Sequence, residues 1–467
     1  MPRRFFIQTV GCQMNVLDSE LIAGRLLGLG YEQVESHRRA DVILLNTCSV
    51  RRHAEDKIYS ALGRMKHIKE HRPGTIIGVL GCMAQKDRQK IFRRAPHVDL
   101  VLGPGRLDRL PTLLDQIAAG DGPCLEVSLD RAEADRASVG QSFVRFTPSR
   151  ERRAPGVVSL PHQAMVRIMT GCDQFCTYCI VPHVRGPEQS RPAAEILDEV
   201  RRLADAGCLE VTLLGQKVNS YHDAAGPRAV VLADLLAMLH EVEGIRRLKF
   251  VTNHPKHMTP ELIEAVRDLP KVSPYLHIPA QSGSDVVLRR MNRGYTVGSY
   301  RDMLAHLRER IPDAAVTSDF IVGFCGETED DFQQTAVLVQ DARFKNSFIF
   351  KYSTRSGTKA AERYEDDVPE AVKRRRNNEL LAIQNAISLE DNQSFLGRTV
   401  EILVEGPSKA AKKQGRPDDI SATLQLVGRT CCDRIVVFEG PPTLTGRFLP
   451  VVIERVEAFT LHARRAD

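Results

Sequence analysis

Residues 164–179 read AMVRIMTGCDQFCTYC, a predicted strand that runs directly into Cys172, Cys176 and Cys179. Three thiolates at this CxxxCxxC spacing can bind three irons of a [4Fe–4S] cluster, whereas a cluster held by the protein alone takes four cysteines. The remaining iron is then open to an outside ligand, as one position is in a catalytic zinc site. The amino and carboxylate groups of S-adenosylmethionine suit that iron. A zinc site and three unrelated thiols are the alternatives, but no second CxxC pair lies nearby.

Outward from this stretch, strands alternate with amphipathic helices from about residue 162 to 365. The later predicted strands are LEVTLLG, RLKFVT, PYLHIPA, AVTSDFIVGF and NSFIFKY. Six such units in succession predict a partial (βα)6 barrel of parallel strands. A doubly wound open sheet would have the same alternation, and spacing alone does not separate the two. A predicted helix near 369–395 ends this unit, which we assign to 161–395.

Residues 1–130 predict a separate N-terminal parallel-sheet α/β domain with three cysteines of its own. Cys12, Cys48 and Cys82 follow the apolar strands of IQTVGC, VILLNTC and IGVLGC. Because the carboxyl ends of parallel strands share one edge of a sheet, we expect these thiols to meet there. A second cluster with an open iron is one interpretation, and three buried core cysteines are the other.

Two further stretches differ from these domains. Residues 131–160 contain Arg, Ser and Pro with weak periodicity, which predicts a linker. After Gly397, short alternating strands such as TVEILVEG and DRIVVFEG are separated by Gly and Pro. This pattern is typical of a small β-barrel, here over 396–467.

The composition is that of an ordinary folded protein. The chain has 467 residues, of which 42% are hydrophobic and 27% charged, and this excludes collagen-like, coiled-coil and disordered classes. No apolar run is long enough to cross a bilayer and no secretory signal is visible, so the expected compartment is the cytoplasm. The 11 cysteines are then expected to be reduced. A net charge of +6 permits a nucleic-acid partner without requiring one.

Motifs along the chain resemble those of the radical-SAM methylthiotransferases. They are GCQMN (11–15), NTCSVR (46–51), GCMAQ (81–85), GCDQFCTYC (171–179), HIPAQSGSD (277–285), MNRGYT (291–296), DFIVGFCGETEDDF (319–332) and the TRAM-like GRTCCDRIVVF (428–438). The resemblance covers nearly the whole chain. It implies a radical-SAM partial barrel with a cluster on Cys172, Cys176 and Cys179, an auxiliary [4Fe–4S] cluster on Cys12, Cys48 and Cys82, and a C-terminal TRAM-like RNA-binding domain.

The resemblance also implies a reaction and its partners. Sulfur insertion at an aromatic C–H bond needs a cofactor to break that bond, because the hydrogen is not acidic. In the implied reaction, cleavage of S-adenosylmethionine gives a 5′-deoxyadenosyl radical that attacks C2–H of N6-isopentenyladenosine beside the tRNA anticodon. Sulfur is inserted there, and a second S-adenosylmethionine supplies the methyl group. The implied partners are this tRNA, a sulfur donor, and an electron donor such as flavodoxin or ferredoxin.

Six further residues are candidates for binding S-adenosylmethionine or the target base. Tyr178, beside the last cluster cysteine, is expected to lie against the adenine. The others fall at or near the ends of predicted barrel strands, where barrel active sites are built: Gln216, His277, Gln281, Ser282 and Asp319. A structural hydrogen bond is the alternative role for each of them.

Two features bear on RNA binding. The basic run KRRR at 373–376 is either a tRNA contact or a solvated helix face, and a solvated face is the more common case. Phe438 and Phe459 either stack on unpaired bases or fill the core of the C-terminal domain, and we expect core for both.

The motifs favour the isopentenyladenosine branch of the family. Methylthiolation of threonylcarbamoyladenosine in tRNA, or of a ribosomal-protein aspartate, is the alternative within the family. A non-catalytic iron–sulfur carrier and an RNA-binding module with structural zinc are alternatives of other classes. The sequence departs from the family pattern at Lys217, usually Asn, and at Cys325 and Ser356, both usually Pro.

Overall fold

The computed structural model describes residues 2–49, 52–127, 160–414 and 423–466. The linker predicted at 131–160 lies outside the described residues except for Leu160. Within those ranges, no helix is both long enough and apolar enough to cross a membrane.

The N-terminal domain is a parallel sheet with helices on both faces. Its elements are β1 (Arg4–Val10), α1 (Gln13–Gly28), β2 (Glu32–Gln33), β3 (Val42–Thr47), α2 (Arg52–His71), β4 (Ile76–Gly81), α3 (Cys82–Asp87), α4 (Gln89–Arg94), β5 (Leu100–Leu102), α5 (Leu110–Ala119) and β6 (Cys124–Glu126). The strand order is β2-β1-β3-β4-β5-β6. Every residue of β3 and β4 is buried, as expected for parallel strands covered on both faces.

The central domain is a partial barrel. Its elements are β7 (Gln163–Arg167), β8 (Met169–Thr170), α6 (Val181–Val184), β9 (Gln189–Ser190), α7 (Ala193–Asp205), β10 (Glu210–Leu214), β11 (His222–Asp223), β12 (Val230–Val231), α8 (Leu232–His240), β13 (Arg247–Phe250), α9 (Pro260–Asp268), β14 (Tyr275–His277), α10 (Asp285–Arg290), α11 (Val297–Arg310), β15 (Ala315–Val322), α12 (Glu329–Ala342), β16 (Asn346–Lys351), α13 (Lys359–Arg363) and α14 (Glu370–Gln393).

The main strands of this domain run parallel in chain order. Strands β7, β10 and β13 form one sheet and β14, β15 and β16 a second, and a parallel bridge between Leu248 and Val272 joins them. The predicted partial barrel is confirmed. The doubly wound alternative is wrong, because the order of these strands never reverses as it does in that fold.

The C-terminal domain is a closed barrel. Its elements are β17 (Thr399–Pro407), α15 (Lys409–Gln414), β18 (Leu424–Thr430), β19 (Ile435–Gly440), β20 (Phe448–Val456) and β21 (Leu461–Arg465), and the strand order is β17-β18-β19-β21-β20. The predicted small β-barrel is confirmed. Phe438 is in its core, as expected, but Phe459 is 51% exposed, so the core prediction for Phe459 is wrong.

The two outer domains contact opposite ends of the central barrel. Leu214, at the carboxyl end of β10, belongs to the core of the N-terminal domain. At the amino end, Lys249 Nζ lies 3.0 Å from Asp433 Oδ1, and Arg247 donates to the carbonyl oxygen of Arg429 at 3.1 Å. The carboxyl end of the barrel, where barrel active sites lie, therefore faces the N-terminal domain.

The basic run at 373–376 lies on α14. Lys373 is buried against Asp366, and Arg376 is buried with its Nη1 2.8 Å from Glu327 Oε1. The expected solvated face is therefore wrong for these two residues, because carboxyl groups of neighbouring segments pair with them inside the fold.

Candidate active site

The first cysteine set lies at the carboxyl edge of the N-terminal sheet. Val10 pairs with Thr47 and Thr47 with Gly81, so β1, β3 and β4 end at the same level. Cys48 and Cys82 directly follow β3 and β4, and Cys12 precedes α1 by one residue. Because adjacent strands lie about 4.8 Å apart, this register gathers the three thiols as expected. Cys12 is exposed, whereas Cys48 and Cys82 are buried.

The thiols of this set influence one another. A hydrogen bond from the Cys48 thiol, followed by the nearby charge of Arg185, lowers the pKa of Cys12 to about 6. Burial raises the pKa of Cys82, although the Arg185 guanidinium opposes that rise. The set is therefore an electropositive pocket that is open on the side of Cys12.

Glycines and asparagines of the motifs shape this edge. Gly81 has a φ of +88°, and a Cβ atom there would lie 2.4 Å from Asn46 Oδ1 and 2.7 Å from the Thr47 carbonyl oxygen. Asn46 is fixed by hydrogen bonds to Asn15 and to the Ser19 hydroxyl. Only glycine leaves room for this arrangement, which sets the positions of Cys48 and Cys82.

The second set, Cys172, Cys176 and Cys179, lies on the loop after β8. Arg293 donates from Nη1 to Cys176 Sγ at 3.3 Å, and Asn292 donates to the carbonyl oxygen of Phe175 at 3.1 Å. The MNRGYT motif therefore holds the cysteine loop in place. Burial, with the neighbouring thiols adding to it, raises the pKa of Cys179 to about 12.

The donor sets fit iron–sulfur clusters better than single metal ions. Within the described residues, no group of three or more His, Cys, Asp or Glu side chains stands where one ion could bind them all. Zinc bound at about 2.3 Å would require such close thiolates. A cluster takes each thiolate on a different iron and holds the cysteines further apart.

Four buried polar atoms in the segments that follow β10 and β13 have no hydrogen-bond partner among the described residues. They are Gln216 Oε1, Asn253 Oδ1, His254 Nε2 and His257 Nε2. Leaving a buried polar group unsatisfied costs about 1–3 kcal/mol, so a polar ligand is expected here. Burial, with Arg293 adding to it, lowers the pKa of His254 to about 2, so its ring is neutral.

Sequence reasoning predicted Gln216 but missed Asn253, His254 and His257. The signal was available, since NHP follows the predicted strand RLKFVT just as Gln216 follows the predicted strand LEVTLLG. Barrel active sites are built from residues at the carboxyl ends of the strands, which we call the strand-end rule. Applied to every barrel strand, this rule would have found Asn253 and His254.

The other predicted residues fall into two groups. His277 Nδ1 shares a hydrogen bond with Thr317, and its Nε2 lies 3.5 Å from Asp319 Oδ2, so these residues form one polar cluster inside the barrel. The backbone N–H of Gln281 donates to the Asp319 carbonyl oxygen, which places Gln281 beside this cluster. Ser282, by contrast, is buried and its hydroxyl hydrogen-bonds Thr335 and the backbone of Ser284.

Tyr178 and Lys217 both lie near the second cysteine set. The Tyr178 hydroxyl lies 3.5 Å from Arg293 Nη1. Lys217, where the family usually has Asn, is buried with Nζ 3.0 Å from Glu188 Oε2. Glu188 supplies the counter-charge that makes this departure from the family pattern possible.

Comparison with known proteins agrees with this architecture. Three family models match the chain: Uncharacterized protein family UPF0004 over residues 4–103, the Radical SAM superfamily over 166–339, and the TRAM domain over 393–465. A tRNA-2-methylthio-N(6)-dimethylallyladenosine synthase from Rhodopirellula baltica is 53% identical over 465 residues, which cover 99% of this chain and 96% of that protein. The chain belongs to the tRNA-2-methylthio-N(6)-dimethylallyladenosine synthase family.

Further members of this synthase family match over similar lengths. The synthase from an Acidovorax species is 44% identical over 99% of this chain and 97% of its own length. Among solved structures, the radical S-adenosylmethionine methyltransferase TsrM from Kitasatospora setae superposes with a TM-score of 0.53, at 11% identity and 77% coverage of each chain. That likeness concerns the fold alone.

Proposed function

We propose that the chain is a methylthiotransferase that converts N6-isopentenyladenosine beside the tRNA anticodon to its 2-methylthio derivative. Sulfur would be inserted at C2–H, and S-adenosylmethionine would supply the methyl group. The observation that carries the proposal is that the segment directly after the second cysteine set packs against the first set. Ile180 and Val184, which follow Cys179, pack against Cys82 of the other set.

Membership of the radical SAM superfamily implies an iron–sulfur cluster and S-adenosylmethionine. We assign two [4Fe–4S] clusters, one to Cys172, Cys176 and Cys179 and one to Cys12, Cys48 and Cys82. When bound, these cofactors supply the radical and sulfur chemistry that side chains cannot perform. The chain itself positions them: Arg293 fixes Cys176, and the glycine at 81 allows Cys48 and Cys82 to approach each other.

The buried polar atoms of the barrel are the proposed binding groups for S-adenosylmethionine and the target base. Gln216 and Asn253 offer acceptors that have no partner among the described residues, and His277 and Asp319 form a polar cluster. We assign Tyr178 and Gln281 to the same binding site. The Ser282 hydroxyl already forms hydrogen bonds within the chain. Its proposed role is therefore to position the loop that contains Gln281.

The proposed tRNA contact lies between the barrel and the C-terminal domain. A cavity of about 560 Å³ is lined there by Phe348 and Phe459, which are 48% and 51% exposed, and by Lys345 and Arg434. Exposed aromatic rings bind unpaired bases by stacking, as an anticodon loop would require. We assign the protein to the cytoplasm because its proposed substrate is tRNA, and a sulfur donor and a flavodoxin- or ferredoxin-type reductant would serve it there.

The test is nucleoside mass spectrometry of tRNA from a bacterial host that lacks its own methylthiotransferases. Expression of this chain should produce 2-methylthio-N6-isopentenyladenosine, and the Cys176→Ala variant should produce none. A 2-methylthio-threonylcarbamoyl product would support the proposed reaction but show that the substrate is threonylcarbamoyladenosine. Absence of any methylthio nucleoside, from protein that carries its clusters, would overturn the proposal.

A further inference from the structure

Two adjacent cysteines occupy a tight turn of the C-terminal barrel. Cys431 and Cys432 lie in the turn that joins β18 to β19, and the backbone N–H of Asp433 donates to the Thr430 carbonyl oxygen at 3.0 Å to close that turn. The two Sγ atoms lie 3.8 Å apart. Cys431 is exposed and Cys432 is half-buried, so a small reagent in solution can reach the pair.

The pair is suited to reversible oxidation. The hydrogen bond with the Cys432 thiol lowers the pKa of Cys431 to about 6, although burial opposes that change. The thiolate is the form of cysteine that attacks a disulfide. Adjacent Cα atoms lie about 3.8 Å apart across a trans peptide, whereas disulfides usually join Cα atoms about 4.4–6.8 Å apart. A bond between these neighbours would therefore be easily reduced, as labile and regulatory disulfides are.

The same turn is a contact between the C-terminal domain and the central barrel. Lys345, which directly precedes β16, donates from Nζ to the carbonyl oxygens of Cys432 and Asp433 at 2.9 and 2.8 Å. Lys345 also lines the cavity of Phe348 and Phe459 that is the proposed tRNA contact. A change in the backbone of the turn would therefore alter one wall of that cavity.

We propose that Cys431 and Cys432 form a redox modification site, at which a small disulfide of the glutathione type closes the pair to a vicinal disulfide and thereby weakens tRNA binding. The inference deepens the proposed function and rests on it for the tRNA contact. It gives a role to two cysteines that belong to neither of the proposed cluster sites.

The modification consists of two thiol–disulfide exchanges. The Cys431 thiolate attacks one sulfur of the small disulfide, which breaks its S–S bond and expels one thiolate. The Cys432 thiol then loses its proton and attacks Cys431 Sγ, which forms the bond within the pair and expels the second thiolate. The pair loses two electrons and two protons, and the small disulfide becomes two thiols.

Closure of the bond would change the turn. The two sulfurs must move from 3.8 Å to about 2.05 Å apart, and because their residues are adjacent, the backbone between them must rotate. That rotation displaces the Cys432 carbonyl oxygen, which is one of the two acceptors of Lys345. The wall of the cavity that Lys345 forms is then no longer held in place.

The experiment uses the full chain with its clusters reconstituted, incubated without oxygen in reduced glutathione or in glutathione disulfide. Trypsin cuts after Arg429 and Arg434, so the 430–434 peptide carries both cysteines of the pair and no other. Mass spectrometry should find this peptide two hydrogens lighter after oxidation, and dithiothreitol should restore it.

Binding of isopentenylated tRNA, followed by fluorescence anisotropy, is the second measurement. The affinity should fall about tenfold on oxidation, the factor expected for the loss of one charge-assisted hydrogen bond, and should return on reduction. Cys431→Ser and Cys432→Ser should each bind tRNA with an affinity that glutathione disulfide does not change. Cys124→Ser is the matched control, because Cys124 is a partly exposed cysteine of the N-terminal domain, and it should respond as the parent protein does.

Several results would overturn the inference. They are a peptide that stays reduced, a peptide that carries glutathione without closing, and an equal tRNA affinity before and after closure. A response that persists in both serine variants would also overturn it. Failure of the reduced parent protein to bind tRNA at all would instead overturn the proposed tRNA contact, and the inference with it.

Discussion

Replacing Gly81 with alanine should disable the auxiliary cysteine set and leave the other set intact. Gly81 immediately precedes Cys82, with φ +88° and ψ −159°. This backbone region is essentially reserved for glycine, and forcing another residue into it costs about 1–3 kcal/mol.

The added methyl group would also collide with its surroundings. Its Cβ would lie 2.4 Å from Asn46 Oδ1 and 2.7 Å from the Thr47 carbonyl oxygen. Asn46 must then leave its buried hydrogen bonds to Asn15 and Ser19, each worth about 0.5–1.5 kcal/mol net. With three such hydrogen bonds, the combined destabilisation of this sheet edge is about 2.5–7.5 kcal/mol.

Gly120→Ala is the matched control. Gly120 has a φ of +99°, but no atom lies within 4 Å of its added Cβ, so only a strain of about 1–2 kcal/mol is expected. Because a multidomain chain does not unfold in two states, hydrogen exchange of the β3 and β4 amides is the appropriate measure of local stability. Iron content and product analysis complete the assay.

Gly81→Ala should accelerate exchange in β3 and β4, lower the iron content and abolish methylthio product, yet still form 5′-deoxyadenosine from S-adenosylmethionine. Gly120→Ala should differ little from the parent protein in iron content and product. The reasoning is refuted if the two variants exchange alike in β3 and β4 and hold equal amounts of iron.

Three further predictions address other parts of the molecule. Gln216→Leu removes a buried acceptor that has no partner within the described part of the chain, so calorimetry should show weaker S-adenosylmethionine binding and an apo protein at least as stable as the parent; unchanged binding would contradict this. Burial raises the pKa of Glu327 to about 7 in the folded protein. The folded state then keeps a proton that the unfolded state releases, so the contribution of Glu327 to stability falls as pH rises from about 4.5 to about 7. Glu327→Gln should remove that part of the pH dependence of local stability, measured by hydrogen exchange in β15 and α12, and an unchanged profile would refute it. Phe459→Ala should weaken tRNA binding by about 1–3 kcal/mol with little effect on stability, whereas Phe438→Ala should destabilise the C-terminal barrel by about 3–5 kcal/mol; the opposite pattern would show that Phe459 is structural.

The strand-end rule accounts for most of what the sequence could predict. Cys12, Cys48 and Cys82 are far apart in the chain, yet each follows an apolar strand, and parallel pairing brings strand ends together whatever the intervening sequence. The same rule pointed to Gln216 and His277. Chain order also made a parallel fold of strands and helices predictable, but the choice between a partial barrel and a doubly wound sheet needed the structure, because both have the same alternation.

Side-chain partnerships between distant segments could not be predicted. Arg185 and Asp18 are 167 residues apart, and Arg376 and Glu327 are 49 apart. The sequence does not show which element covers a charged residue on a helix, so such a residue is predicted to be exposed to solvent. Phe459 is the opposite case, a residue that was predicted to be buried and is exposed. An aromatic residue in a small barrel usually fills the core, and only the folded structure shows that the ring of Phe459 is exposed.

The division of the six cysteines into two sites with different tasks is tested most directly by two triple-alanine variants assayed side by side. One replaces Cys12, Cys48 and Cys82, and the other replaces Cys172, Cys176 and Cys179. Both are reconstituted with iron and sulfide and given S-adenosylmethionine, reductant and isopentenylated tRNA. The first should still form 5′-deoxyadenosine but no methylthio product, and the second should form neither. Methylthio product from the first variant, or 5′-deoxyadenosine from the second, would contradict the assignment of the two sites.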